Sequence, residues 1–147
     1  MVKDLTAGLV QAVVISFGYG HDPAPQADMT IDARRHFRNP HADPAMRTMT
    51  GLDAPVRAHV LATPGVPNVI KHAIRFGRDL LDDVANDRFR LVTIAVGCVG
   101  GRHRSVAMAT EIGAGLRALG IGTDIEHRDI DHDILPSQTH ARHGGTR

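Results

Sequence analysis

The chain has 147 residues, enough for one core and too few for two ordinary domains, and its 42% hydrophobic and 22% charged residues exclude the composition of a disordered polymer. A formal charge of +1, 3% aromatics and no Trp exclude a global basic field and a broad base-stacking platform, so any contact with RNA would rest on locally placed Arg and His. The single Cys98 excludes an internal disulfide, no apolar run approaches a membrane span, and Met1-Val2-Lys3-Asp4 is no signal peptide, so a cytoplasmic location without membrane contact is expected.

Val13 to Phe17 is a β-branched run closed by Gly18-Tyr19-Gly20 and reads as a buried strand. Met29, Ile31 and Ala33 alternate with polar neighbours, which predicts a second strand with Asp32 near its end. Residues 34–53 turn to Pro, His, Asn, Asp, Arg and Gly, a length that compact domains seldom leave unstructured unless it binds something. Within it, Asn39-Pro40-His41 and Thr50-Gly51-Leu52-Asp53 are expected to act as a lid. A short helical period covers Val56 to Leu61. Past Pro64-Gly65-Val66-Pro67, the recurrence of Val69, Ala73, Gly77, Leu80 and Val84 predicts an amphipathic helix, with Ile70, Ile74 and Leu81 widening its apolar stripe.

Leu91 to Gly97 is nearly all apolar, as in a central strand covered on both faces. A second helix follows from near Ser105, with Val106, Ala109, Gly113, Leu116 and Leu119 on its buried face and Gly120 ending it. Ile121 to Arg128 reads as a last strand. Residues 130–147 are polar and rich in His, and are expected to be a flexible tail to a ligand-binding domain spanning 1–129. The expected fold is one α/β domain with a mixed, mainly parallel sheet flanked by helices, Rossmann-like in flavour.

The chemistry concentrates at Gly97-Cys98-Val99-Gly100-Gly101-Arg102-His103-Arg104-Ser105. A strand end, a glycine turn and a helix start let backbone amides converge on one point and add the positive end of the helix dipole, which favours an anion. Arg104 is expected to supply the main side-chain contact, with Arg102, His103 and the Ser105 hydroxyl adding donors. Asp32, Arg34, His41, Thr50 and Gly51 would surround the loop if the first two strands are neighbours, since ligands of open α/β sheets sit beyond the carboxyl ends of the strands. The same residues spell Cys, five residues, Arg and Ser, the spacing of a phosphatase loop with a thiolate nucleophile. Gly97 stands where those enzymes have His and no acid loop can be placed, so Cys98 is expected to be a small buried residue and catalysis is not expected. Without a paired-His or Cys-x-x-Cys pattern no dedicated metal site is expected, and no Walker-type phosphate loop occurs in these residues.

Taken together SFGYGH (16–21), DAR (32–34), NPH (39–41), TGLD (50–53), GCVGGRHRSV (97–106) and HRD (127–129) resemble, in order and spacing, the C-terminal domain of the RNase adapter RapZ family over about residues 12–129. The resemblance implies a phosphofructokinase-like flavour and an oligomeric adapter without catalysis or a cofactor, which senses an amino-sugar phosphate, glucosamine 6-phosphate, and contacts RNA and partner proteins. It places Gly100, Gly101, His103, Arg104 and Ser105 in the phosphosugar pocket, with Asp32, Arg34, His41, Thr50 and Gly51 nearby. The family's nucleotide-binding P-loop domain has no counterpart in these residues. Val99 stands where the family commonly has Thr, and Ile130-Asp131-His132-Asp133 replaces a Lys/Arg-rich tail, which implies weak RNA binding.

Overall fold

Strands and helices alternate in the way that builds a parallel sheet: β1 (Ala12–Gly18), β2 (Met29–Asp32), α1 (Ala54–Leu61), α2 (Val66–Asp83), β3 (Val92–Cys98), α3 (Arg104–Ala118) and β4 (Thr123–His127). These elements come from a computed structural model that describes residues 9–35, 44–83 and 91–135. The sheet order is β2-β3-β1-β4, and all three pairings are parallel. The sheet is therefore wholly parallel, and the two apolar runs form its two inner strands. β1 and β2 are not neighbours: β3 lies between them, and both lend their carboxyl ends to it, with Gly18 opposite Cys98 and Asp32 opposite Gly97.

The handedness rule decides where each connection runs. The steps β2 to β3 and β3 to β4 go the same way across the sheet, so right-handed crossovers put α1, α2 and α3 on one face. There Ala12, Val14, Val92, Ile94 and Val96 meet Val56, Val60, Ile70, Met108, Ile112 and Leu116 in one core. The step β1 to β2 runs back the other way and must cross the opposite face, and it does so with no helix, as the segment 19–28. Phe17 and Ala95 belong to that second face and are still fully buried. Tyr19 lies edge-on to Phe17, with ring centroids 4.7 Å apart. Arg128 fastens the segment by donating to the carbonyls of Pro23 and Asp22 at 2.6 and 2.9 Å.

Two details depart from the sequence-based expectation. Leu119 is 49% exposed, because α3 has ended at Ala118 and the chain is already turning away from the core. Residues 130–135, expected to begin the tail, stay with the domain: the Ile130 carbonyl accepts from Arg102, and Leu135 fills the space beside Gly20. Val84 and residues 136–147 lie outside the described residues.

Candidate ligand-binding site

At the carboxyl ends of β1, β2 and β3 the turn from Cys98 to His103 delivers the chain into α3. Two of its glycines are there for different reasons. Gly101 has φ +74°, and a Cβ on it would lie 2.7 Å from the Gly18 amide nitrogen and 2.9 Å from the Asp129 Cβ, so no larger residue fits. Gly100 has neither constraint: its φ is not positive, and no described residue lies within 4 Å of where its Cβ would sit. No described residue requires a glycine at 100, and the side on which its Cβ would sit is open among the described residues.

The side chains expected to greet an anion are largely occupied with the chain itself. Arg104 is 3% exposed, and its Nη1 donates to the Ala33 carbonyl at 2.8 Å and to that of Arg34 at 3.2 Å. Burial pulls its guanidinium below the ordinary value, while Cys98 and Asp32 nearby push it back up, and it remains a fixed cation behind the loop. The expected main side-chain contact is thus first of all a clamp on the end of β2. Arg102 ties two other segments, donating to Ile130 O at 2.8 Å and Thr48 O at 3.1 Å, and His103 Nε2 lies 3.1 Å from Met46 O. Beneath the loop, Cys98 Sγ accepts the Gly101 N–H at 3.3 Å and lies 3.1 Å from Ser105 Oγ.

Thr50 and Gly51 do come to the loop. The Gly51 amide donates to Arg102 O at 2.7 Å, and a Cβ on Gly51 would lie 2.5 Å from His103 O and Ala107 N, so the missing side chain is what lets this turn rest against the first turn of α3. The turn itself is local: Thr50 N–H donates to Asp53 Oδ2 at 2.8 Å and Leu52 N–H to Thr50 Oγ1 at 3.2 Å. Asp32 and Arg34 form a two-bonded pair at 2.9 and 2.6 Å at the mouth, each more than a third exposed. The Arg34 hydrogen bond holds the Asp32 carboxyl below the usual carboxylate range. His41 lies outside the described residues, as do Asn39 and Pro40.

Two contributors, Asp129 and His127, were not singled out from residue chemistry, while a third, Tyr19, belongs to the segment Gly18-Tyr19-Gly20 that closes β1. Tyr19 lies under Arg34, whose Cζ is 3.6 Å from the ring centroid, which fixes the guanidinium at the mouth. Asp129 is fully buried and accepts the Gly18 N–H at 2.7 Å and Arg128 Nε at 3.0 Å. Burial pushes its carboxyl up, but these hydrogen bonds and the charges of Arg128 and His132 outweigh that and leave it below the usual range. His127 Nδ1 lies 2.7 Å from Ser16 Oγ, and burial lowers its pKa. The signal for the last two was the polar triplet His127-Arg128-Asp129 closing a strand, which only the family resemblance had brought out.

A wholly parallel sheet with a glycine turn feeding a helix at its carboxyl edge defines an α/β domain, among whose described residues no helix is long and apolar enough to cross a membrane and no cluster could hold a metal ion. The family model of the RapZ C-terminal domain matches residues 10–131, and the chain belongs to that family. Similar proteins include a nucleotide-binding protein of Frankia alni, 40% identical over 86% of this chain and 44% of its own length. Others are a nucleotide-binding protein of Thermobifida fusca, 40% identical over 84% of this chain and 42% of its own, and one of Rhodospirillum centenum, 42% identical over 80% and 35%. The chain thus spans less than half the length of these relatives.

Proposed function

We propose that the domain is a non-enzymatic sensor and adapter that binds a phosphorylated metabolite, an amino-sugar phosphate such as glucosamine 6-phosphate, on the Gly100 side of the loop from Gly97 to Ser105. The observation that carries this is Gly100 itself, a glycine that no described residue requires, close to a helix start that has no side-chain cap. The phosphoryl group would meet the loop amides there, with the buried Arg104 charge behind them. Gly51 closes off the flank of the first helical turn, and the exposed Asp32-Arg34 pair and Thr50 are placed to meet the sugar, with His41 as a further proposed contact. RNA, a protein partner and a homo-oligomer belong to this proposal as what an adapter of the family engages.

Titration calorimetry with glucosamine 6-phosphate, glucosamine and inorganic phosphate tests the reading. The phosphate ester should bind and the neutral-hydroxyl sugar should not, and equal heats for the ester and the unphosphorylated sugar would remove the phosphoryl site. Because the relatives carry the name nucleotide-binding protein, a nucleoside monophosphate is the informative competitor. A second reading, a cysteine phosphatase, is favoured by one observation, the Gly101 N–H donated to Cys98 Sγ with the Ser105 hydroxyl 3.1 Å from it, two groups that can support a thiolate. Against it, Arg104 is turned to the Ala33 and Arg34 carbonyls. Steady hydrolysis of an aryl phosphate, lost in Cys98→Ser, would decide for the enzyme.

A further inference from the structure

The exposed side of α2 carries Asn68, Lys71, His72, Arg75 and Arg78 at steps of three and four residues or next to one another, so that one stripe of the helix is cationic. A solvated basic stripe is ordinary, but this one lines a concave groove. Its floor is Ile74, whose side chain reaches Gly115 of α3, and Leu119 at the end of α3. Elsewhere on the described surface Arg57 is paired with Glu111 and Arg34 with Asp32, and Arg78 has its neighbour Asp79. Among the described residues Lys71 and Arg75 have no carboxylate partner. The groove therefore offers two cations that no described carboxylate pairs, around an apolar strip that includes a half-exposed Leu119.

That combination selects among occupants. A nucleic-acid strand needs cations spread along a path and faces on which bases stack, whereas here the charges from Lys71 to Arg78 span only about 10 Å of helix and the lining holds no Phe, Tyr or Trp, His72 being its one ring. An apolar floor with a positive rim complements a helix that presents leucine-like side chains at intervals of three and four, flanked by carboxylates. We propose that this groove docks an acidic amphipathic helix of a partner protein. It sits at the far end of α3 from the glycine loop, about 22 Å away given the 15 residues of that helix. The inference stands independently of the ligand proposed above.

The test uses the full chain and a fluorescein-labelled synthetic peptide with Leu at helical spacing and Glu on the flanks. Its controls are a scrambled version, a version with Lys for Glu, and a uridine oligonucleotide. Anisotropy should show saturable binding of the acidic peptide alone. Lys71→Glu with Arg75→Glu should weaken it about tenfold or more, and Leu119→Ser severalfold, while Arg57→Gln, on a surface away from the groove, leaves it unchanged. All substituted positions are exposed, and melting curves verify that the variants fold. Failure of the acidic peptide to bind overturns the inference, as does binding indifferent to both groove variants. So does uridine oligonucleotide binding that the charge reversals abolish, or a sedimenting dimer that they dissociate, since the occupant would then be RNA or a second copy.

Discussion

Gly100→Ala separates ligand binding from folding more cleanly than any other change in the loop. A methyl group there meets no described atom within 4 Å, and the backbone is not in the left-handed region, so the native state has nothing to lose. The unfolded chain loses conformational freedom, and stability should rise by about 0.4 to 1 kcal/mol or stay level. The same methyl group occupies the space through which a phosphoryl oxygen would approach the loop amides. Losing one hydrogen bond to a charged group costs about 1.5 to 3 kcal/mol, which is roughly ten- to 150-fold in affinity. Gly101→Ala makes the contrast. With φ at +74° and a Cβ 2.7 Å from the Gly18 nitrogen, it should lower stability and binding together. Thermal unfolding paired with calorimetry on glucosamine 6-phosphate reads both quantities. A Gly100→Ala protein that melts like wild type and binds the ester with unchanged affinity would refute the reasoning, because the open face of Gly100 would then have no ligand to admit.

Arg104→Ala should lower the free energy of unfolding in urea by about 2 to 4 kcal/mol, because it strands the buried Ala33 carbonyl and its Arg34 neighbour. Measured affinity must therefore be corrected for the folded fraction before any loss is assigned to the ligand. Cys98→Ala should leave affinity for the ester within about twofold, since the thiol sits beneath the loop, and trapping of a phosphocysteine in the wild type would sink that expectation. Acid should destabilise in two stages. His127 has its pKa lowered by burial, so the folded state resists the proton that the unfolded state takes up, and stability present above the ordinary value of 6.5 is lost as pH falls below it. Asp32 and Asp129, also lowered, add their loss below the ordinary carboxylate value of 3.8. In His127→Gln the melting temperature should lose the first stage and keep the second.

How much of this was legible follows from what each signal depends on. Strands and helices were readable because their apolar periods are local: the run from Val92 to Val96 and the recurrence of Ala73 and Gly77 mark buried faces. The α2 stripe was read slightly off, since Val69 and Leu80 are only half-buried while Val66, read as part of the break before the helix, is buried. Strand order was less accessible, since nothing in Val13 to Phe17 or Met29 to Asp32 states that β3 comes between them, and it took crossover handedness to fix the faces. At the candidate site, glycines and cations marked the turn that leads from β3 into α3, but their division of labour did not show. Whether Arg104 reaches outward or turns back to Ala33 depends on a contact between residues 71 positions apart. The spelling Gly100-Gly101 likewise hides that one glycine is demanded by the fold and the other by no described residue.

The triplet that follows β4 has a consequence for how the domain is made. His127 reaches Ser16 on the helix-covered face, Arg128 holds the segment at Asp22 and Pro23 across the other face, and Asp129 grips the Gly18 amide behind Gly101. All three grips close on chain synthesised more than a hundred residues earlier. While the ribosome is still adding α3, the glycine turn exists as sequence but its backing strand end is untethered and the second face is uncovered. A nascent chain can therefore acquire helices early, yet the glycine turn gains its backing only after residue 129 has left the exit tunnel, so the final strand completes the loop proposed to hold the ligand.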